Sequence, residues 1–88
     1  MNQLTSYREE IDNIDRRLIQ LLAKRFQIVK KVGVLKKQLG FPPLDKKRWK
    51  QVVADRLIIV NQVSLPAKFI MAIYDLIHKL ALQIEKQP

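Results

Sequence analysis

Residues 5–39, TSYREEIDNIDRRLIQLLAKRFQIVKKVGVLKKQL, hold no proline and a single glycine. Apolar side chains recur at Tyr7, Ile11, Ile14, Leu18, Leu21, Ile28, Val32, Leu35 and Leu39, with Arg25 standing in the series between Leu21 and Ile28. The steps alternate four and three, a heptad spacing sustained for more than four repeats, which predicts one continuous helix with a seam along one side. Thr5 or Ser6 can cap its start, which puts Glu9 and Glu10 in a first turn favourable to negative charge. Such a helix, about 35 residues long, measures ~52 Å. A compact domain of this size has a radius of gyration of only ~12 Å. The helix must therefore protrude from a monomer and expose its seam to water, so burial against a second copy is expected: an obligate homodimer held chiefly by the first helix.

Outward from this stretch the chain is punctuated twice, at Gly40-Phe41-Pro42-Pro43 and at residues 61–66, which include Ser64 and Pro66. Asp45 can cap a second helix over residues 46–60, with Trp49, Val52, Val53, Leu57 and Val60 apolar. Ser64 followed by Pro66 opens a third, running to Lys86, with Phe69, Ile73, Leu76, Ile77, Leu80 and Ile84 on one face. The fold class is all-α, three helices per chain with one very long. At 88 residues, with no repeat and no linker long enough to divide it, the chain reads as a single domain over residues 1–88.

Lys plus Arg number 17 and Asp plus Glu 8, a formal charge of +9. The excess is local: ten basic side chains fall between residues 24 and 50 against one acid, Asp45, so the remainder is neutral. A basic stretch of this kind points to an anionic partner, whether nucleic acid, a membrane surface or a small polyacid. With no cysteine and one histidine, His78, there is no thiolate chemistry, no disulfide and no expected metal site. Two glycines are too few for a phosphate-cradling loop. Neither a signal pattern nor an apolar run of membrane-spanning length is present, and a soluble cytoplasmic protein is expected.

Arg25 is the anomaly of the seam, because a guanidinium among apolar neighbours needs an anion. Lys36 lies eleven residues on, three turns plus ~20°, so the two point the same way about 16 Å apart. Arg8, seventeen residues before Arg25, is rotated roughly 100° from it and would face another subunit's pocket in a dimer. Plainer readings exist for each. Arg25 could snorkel or form an interhelical ion pair, Lys36 could be a surface lysine, Trp49 a core anchor of the second helix and His78 a satisfied structural histidine. No paired carboxylates, nucleophile with base, or metal cluster is evident. Chemistry here would have to run on positive charge and hydrogen bonding, within a bound anion.

Tyr7-Arg8-Glu9-Glu10-Ile11-Asp12-Asn13-Ile14-Asp15, Leu18, Leu21-Leu22 and Arg25 resemble the opening helix of the all-helical chorismate mutases. Val32-Gly33, Lys36, Asp45 and Arg48 continue in register, and Tyr74, Leu76-Ile77-His78 and Glu85 are similar to that family's closing segment. The resemblance spans residues 4–85. It implies an intertwined homodimer with two shared active sites, converting chorismate to prephenate by an intramolecular Claisen rearrangement, without cofactor, in aromatic amino-acid biosynthesis. It also implies that Arg25, with Arg8 of the partner subunit, holds the side-chain carboxylate and that Arg48 holds the ring carboxylate. Lys36 then donates to the ether oxygen, and Asp45 helps to orient the substrate hydroxyl.

Three positions depart from the family's pattern. Trp49 stands where a Glu usually binds the ring hydroxyl, Ala81 where a Ser assists the ring carboxylate, and Glu85 where a Gln donates to the ether oxygen. Fungal members of the family carry Glu at this last place. A carboxyl donates only when protonated, so turnover is expected to fall as Glu85 loses its proton. The change at Trp49 keeps an isochorismate-pyruvate lyase and an aminodeoxychorismate mutase open on the same fold. Outside that class stand a basic helical dimer binding nucleic acid, supported by charge alone and by no recognised binding motif, and a regulatory domain severed from a larger biosynthetic enzyme, which the complete-looking 88-residue chain disfavours. A small dicarboxylate partner is the leading expectation, with no nucleic acid and no membrane.

Overall fold

The computed structural model describes residues 2–88. Three helices account for most of them: α1 (Gln3–Leu39), α2 (Lys46–Val63) and α3 (Ala67–Lys86). α1 has 37 residues, which at ~1.5 Å per residue fills nearly the whole 57 Å long axis of the molecule. Its start differs from expectation. Asn2 is the cap, its Oδ1 accepting from the Thr5 backbone N–H at 2.8 Å and from the Thr5 hydroxyl at 2.9 Å. Asn caps as well as Ser or Thr, and nothing in Gln3 or Leu4 opposes helix. The first turn therefore comes earlier and holds no acid, which leaves Glu9 and Glu10 outside it.

α1 ends at Gly40, whose φ of 75° lies in the left-handed region that glycine enters without strain. The Phe41 N–H donates to the Lys36 carbonyl at 2.8 Å and the Gly40 N–H to that of Lys37 at 3.3 Å, the paired bonds of a Schellman motif. The turn sends the chain through Pro42 and Pro43 back across Lys36.

α2 begins as expected, with Asp45 Oδ1 accepting from the Arg48 backbone N–H at 3.0 Å. It runs one turn beyond the expected end, to Val63, and Ser64 closes it in the left-handed conformation (φ 59°) rather than opening α3. The correction has a simple cause: residues 61–63 contain no breaker, and only Pro66, with no N–H to give, forbids further helix. Pro66 itself precedes α3 without a side-chain cap.

α3 lies against both other helices. Trp49 meets His78 and Arg56 lies 5.7 Å over the ring of Tyr74, so α2 and α3 run antiparallel. Of the expected α3 stripe, Ile73, Ile77 and Ile84 are half-buried, while Phe69, Leu76 and Leu80 face outward. Ala81 and Glu85 form the buried edge instead. The core is slight: Val52, Val60 and Ala81 are its buried apolar side chains among the described residues. Residues 3–21 of α1 are all exposed. The radius of gyration is 16.6 Å, against ~12 Å for a compact chain of this length. The accessible surface is 7493 Å², where a compact 10.4 kDa monomer would show ~5,400 Å². Among the described residues, no helix is long and apolar enough to cross a membrane.

Candidate active site

α1, α2, α3 and the 40–45 loop converge on a cleft of about 190 Å³. From α1 come Arg25, Val29, Val32 and Lys36, four residues whose 4-3-4 spacing puts them on one helical face. The loop supplies Pro43, and the first turns of α2 supply Asp45, Arg48, Trp49 and Val52. α3 supplies Ile77, His78, Ala81, Leu82 and Glu85. The structure thus brings together seven of the eight residues expected at the site: Arg25, Lys36, Asp45, Arg48, Trp49, Ala81 and Glu85. Arg8 is not among them. It is exposed on the free half of α1, more than four turns from Arg25.

Lys36 and Glu85 form the centre. The ammonium nitrogen lies 2.5 Å from Glu85 Oε1 and donates a 2.7 Å hydrogen bond to the Pro43 carbonyl. Glu85 Oε1 is thus buried against a compensating charge. The carboxylate reaches this place because Gly33 lets α3 approach. A Cβ on Gly33 would stand 2.8 Å from Glu85 Cα and 3.2 Å from its Cγ, inside contact distance. Gly33 is correspondingly buried.

The two arginines are less committed. Arg25 Nη1 is buried with no hydrogen-bond partner. Among the described residues, neither Arg25 nor Arg48 pairs with a carboxylate, the ion pairs being Lys36–Glu85 and Arg56–Asp55. Asp45 spends one oxygen on the α2 N-terminus and so fixes the helical turn that carries Arg48. A buried, unpaired guanidinium is unfavourable until an anion meets it. Arg25, with the exposed and likewise unpaired Arg48 on the same lining, suits the cleft to a ligand with two negative ends.

The remaining wall is aromatic. Trp49 and His78 stack with ring centroids 3.9 Å apart and planes at 13°. Both are half-buried and both line the cleft. Trp49 is therefore a wall of the site as well as a packing residue of α2. Expected as a structural histidine, His78 proves to be the site residue that sequence reasoning missed. The signal was available: it lies three residues before Ala81 and seven before Glu85, one face of one helix. Ala81 is buried at 8% exposure and offers no hydroxyl.

Fold and site together define an all-helical domain with a cation-lined cleft made by one long helix and a helical pair. The chain belongs to the chorismate mutase type II family, whose pattern matches residues 7–86. It is 37% identical over 70 residues to a T-protein of Haemophilus influenzae, covering 80% of this chain and 19% of that protein. Identity to a chorismate mutase of Methanocaldococcus jannaschii is 36% over 52 residues, 59% of this chain and 52% of that one. A bifunctional chorismate mutase/prephenate dehydratase of Buchnera aphidicola (from Schizaphis graminum) is 30% identical over 86 residues, 98% of this chain and 22% of its own length. The chain thus spans about a fifth of the length of the T-proteins it matches.

Proposed function

We propose that this chain catalyses the rearrangement of chorismate to prephenate, in an intertwined homodimer with two shared sites. The observation that carries the reading is the buried, unpartnered Arg25 Nη1 in one cleft with Arg48, Lys36 and Glu85. Chorismate carries one carboxylate on its ring and a second on a side chain that an ether oxygen joins to the ring. Arg25 and Arg48 clamp the carboxylates and hold the flexible side chain over the ring, so that binding energy is spent on orientation. One C–O bond breaks as one C–C bond forms within the same molecule, with no net transfer of proton or electron. Negative charge grows on the ether oxygen meanwhile, and Lys36, with the Glu85 carboxyl beside it, stabilises it there. Donors fixed in advance at such a point contribute most in the transition state.

Shape supports the dimer. The free half of α1 carries the exposed seam residues Tyr7, Ile11, Ile14, Leu18 and Leu21, and the chain exposes roughly 2,000 Å² more than a compact monomer would. Small-molecule sites commonly enclose ~300–1,000 Å³, and a cleft of about 190 Å³ in one chain is consistent with a wall that a second copy completes. Arg8 of the partner subunit then joins Arg25 at the side-chain carboxylate.

The test is incubation of the purified protein with chorismate and, separately, isochorismate, with products identified by NMR. Prephenate from chorismate is expected. Pyruvate and salicylate from isochorismate, with little prephenate, would move the assignment to the lyase. Light scattering in the same buffer should give twice the monomer mass; a monomer would remove the shared site.

A further inference from the structure

The charged groups of the cleft are largely spoken for. Lys36 faces Glu85, Asp45 holds the α2 N-terminus, and Arg25 and Arg48 remain for carboxylates. The uncharged polar side chains on the lining are His78 and Trp49. Among the described residues, neither ring hydrogen-bonds to another protein group, so the half-buried His78 is not satisfied from within the chain. An indole N–H can only donate, whereas a neutral imidazole offers one donor and one acceptor. Of this pair only His78 matches a hydroxyl in both directions. The stack on Trp49, at 3.9 Å and 13°, restrains the imidazole plane, and α3 places it on the same face as Ala81 and Glu85.

We infer that His78 is a specificity-determining residue of the cleft, binding the uncharged ring hydroxyl of a dicarboxylate substrate while Trp49 holds its ring in place. The inference rests on the dicarboxylate reading given above and extends it to a residue outside the cationic set. A pocket hydrogen bond to a hydroxyl separates ligands that carry the group from those that lack it, because the protein partner is otherwise left unpaired.

The test compares wild type, His78→Phe and His78→Gln on chorismate and on the same dicarboxylate lacking the ring hydroxyl. Turnover is measured for chorismate and binding for both, the latter through the fluorescence of Trp49, the single tryptophan of the chain. His78→Phe keeps an aromatic ring for the stack and should weaken chorismate about five- to tenfold, in KM rather than kcat, while the deoxy compound binds as before. His78→Gln should recover most of the difference. Equal loss on both compounds, or none on either, overturns the inference. A wild type that binds chorismate without converting it contradicts the catalytic reading alone and leaves this comparison readable by fluorescence. A wild type that binds neither compound contradicts both.

Discussion

Gly33 and Glu85 meet across the α1–α3 contact with no room for a methyl group between them. A Cβ at position 33 would lie 2.8 Å from the Glu85 Cα, and a backbone atom cannot rotate out of the way. In an open helix Gly→Ala gains about 1 kcal/mol; here the contact decides the sign. Gly33→Ala should destabilise the protein by about 1–3 kcal/mol through overpacking. It should also displace the Glu85 carboxylate from Lys36, and misplacement of about 1 Å can cost 10²-fold in rate. Thermal unfolding at fixed protein concentration together with steady-state kinetics checks this. A more stable and fully active variant would show that α3 does not sit where the Gly33 contact puts it.

Lys36 is the cation of the reacting bond in the proposed mechanism. Lys36→Ala removes a fixed donor that acts mainly in the transition state, and kcat should fall ~10²–10³-fold. It also strips Glu85 of its counter-charge, so stability should fall as well. The kinetic loss should exceed anything that stability explains at a temperature where the variant is folded. Substantial turnover in folded Lys36→Ala would refute the role.

Substitution isolates Glu85. Its carboxyl faces the Lys36 ammonium, and Gln at this place keeps the length of the side chain while supplying an amide that donates as well as accepts. Glu85→Gln should therefore keep substantial turnover, whereas Glu85→Ala should lose most of it. Steady-state kinetics of the folded variants checks this, and full activity in Glu85→Ala would place Glu85 away from the reacting bond.

Asp45 caps α2 and is proposed to help orient the substrate hydroxyl, and substitution can separate the two. Its side chain caps α2 through the Arg48 N–H at 3.0 Å. Asn caps as well as Asp, so Asp45→Asn should keep the melting temperature, whereas Asp45→Ala should cost ~1 kcal/mol and lower it by ~4–8 °C. Kinetics then report on the substrate: a KM increase in Asp45→Asn with unchanged melting measures the role of the carboxylate charge beyond the cap.

The periodicity of α1 was legible because one helix face governs every step from Tyr7 to Leu39, and the cationic set followed from the family resemblance of its spacing. Seven of the eight expected residues share one cleft because Arg25 and Lys36 lie about three turns apart on one face of α1, Asp45, Arg48 and Trp49 cluster at the start of α2, and Ala81 and Glu85 are one turn apart on α3. Helix ends were less legible. Asn2 and Ser64 act through local capping and left-handed geometry, which several neighbouring residues could equally supply. His78 escaped because its spacing to Ala81 and Glu85 marks a shared helix face but not a role; its meaning comes from Trp49, 29 positions away in the chain and 3.9 Å in space. Gly33 was visible only as part of a family pattern, since its contact lies with α3.

The central claim is that each site joins Arg25 of one chain to Arg8 of another, and mixing two crippled chains tests it most directly. Arg8→Ala and Arg25→Ala, each alone, should lose most activity. Co-expressed in equal amounts, they should form heterodimers in half of the molecules, each with one intact site and one doubly impaired. About a quarter of wild-type activity should therefore return, as two-fold symmetry requires. Activity in the mixture no higher than the mean of the two separate variants would contradict the shared site.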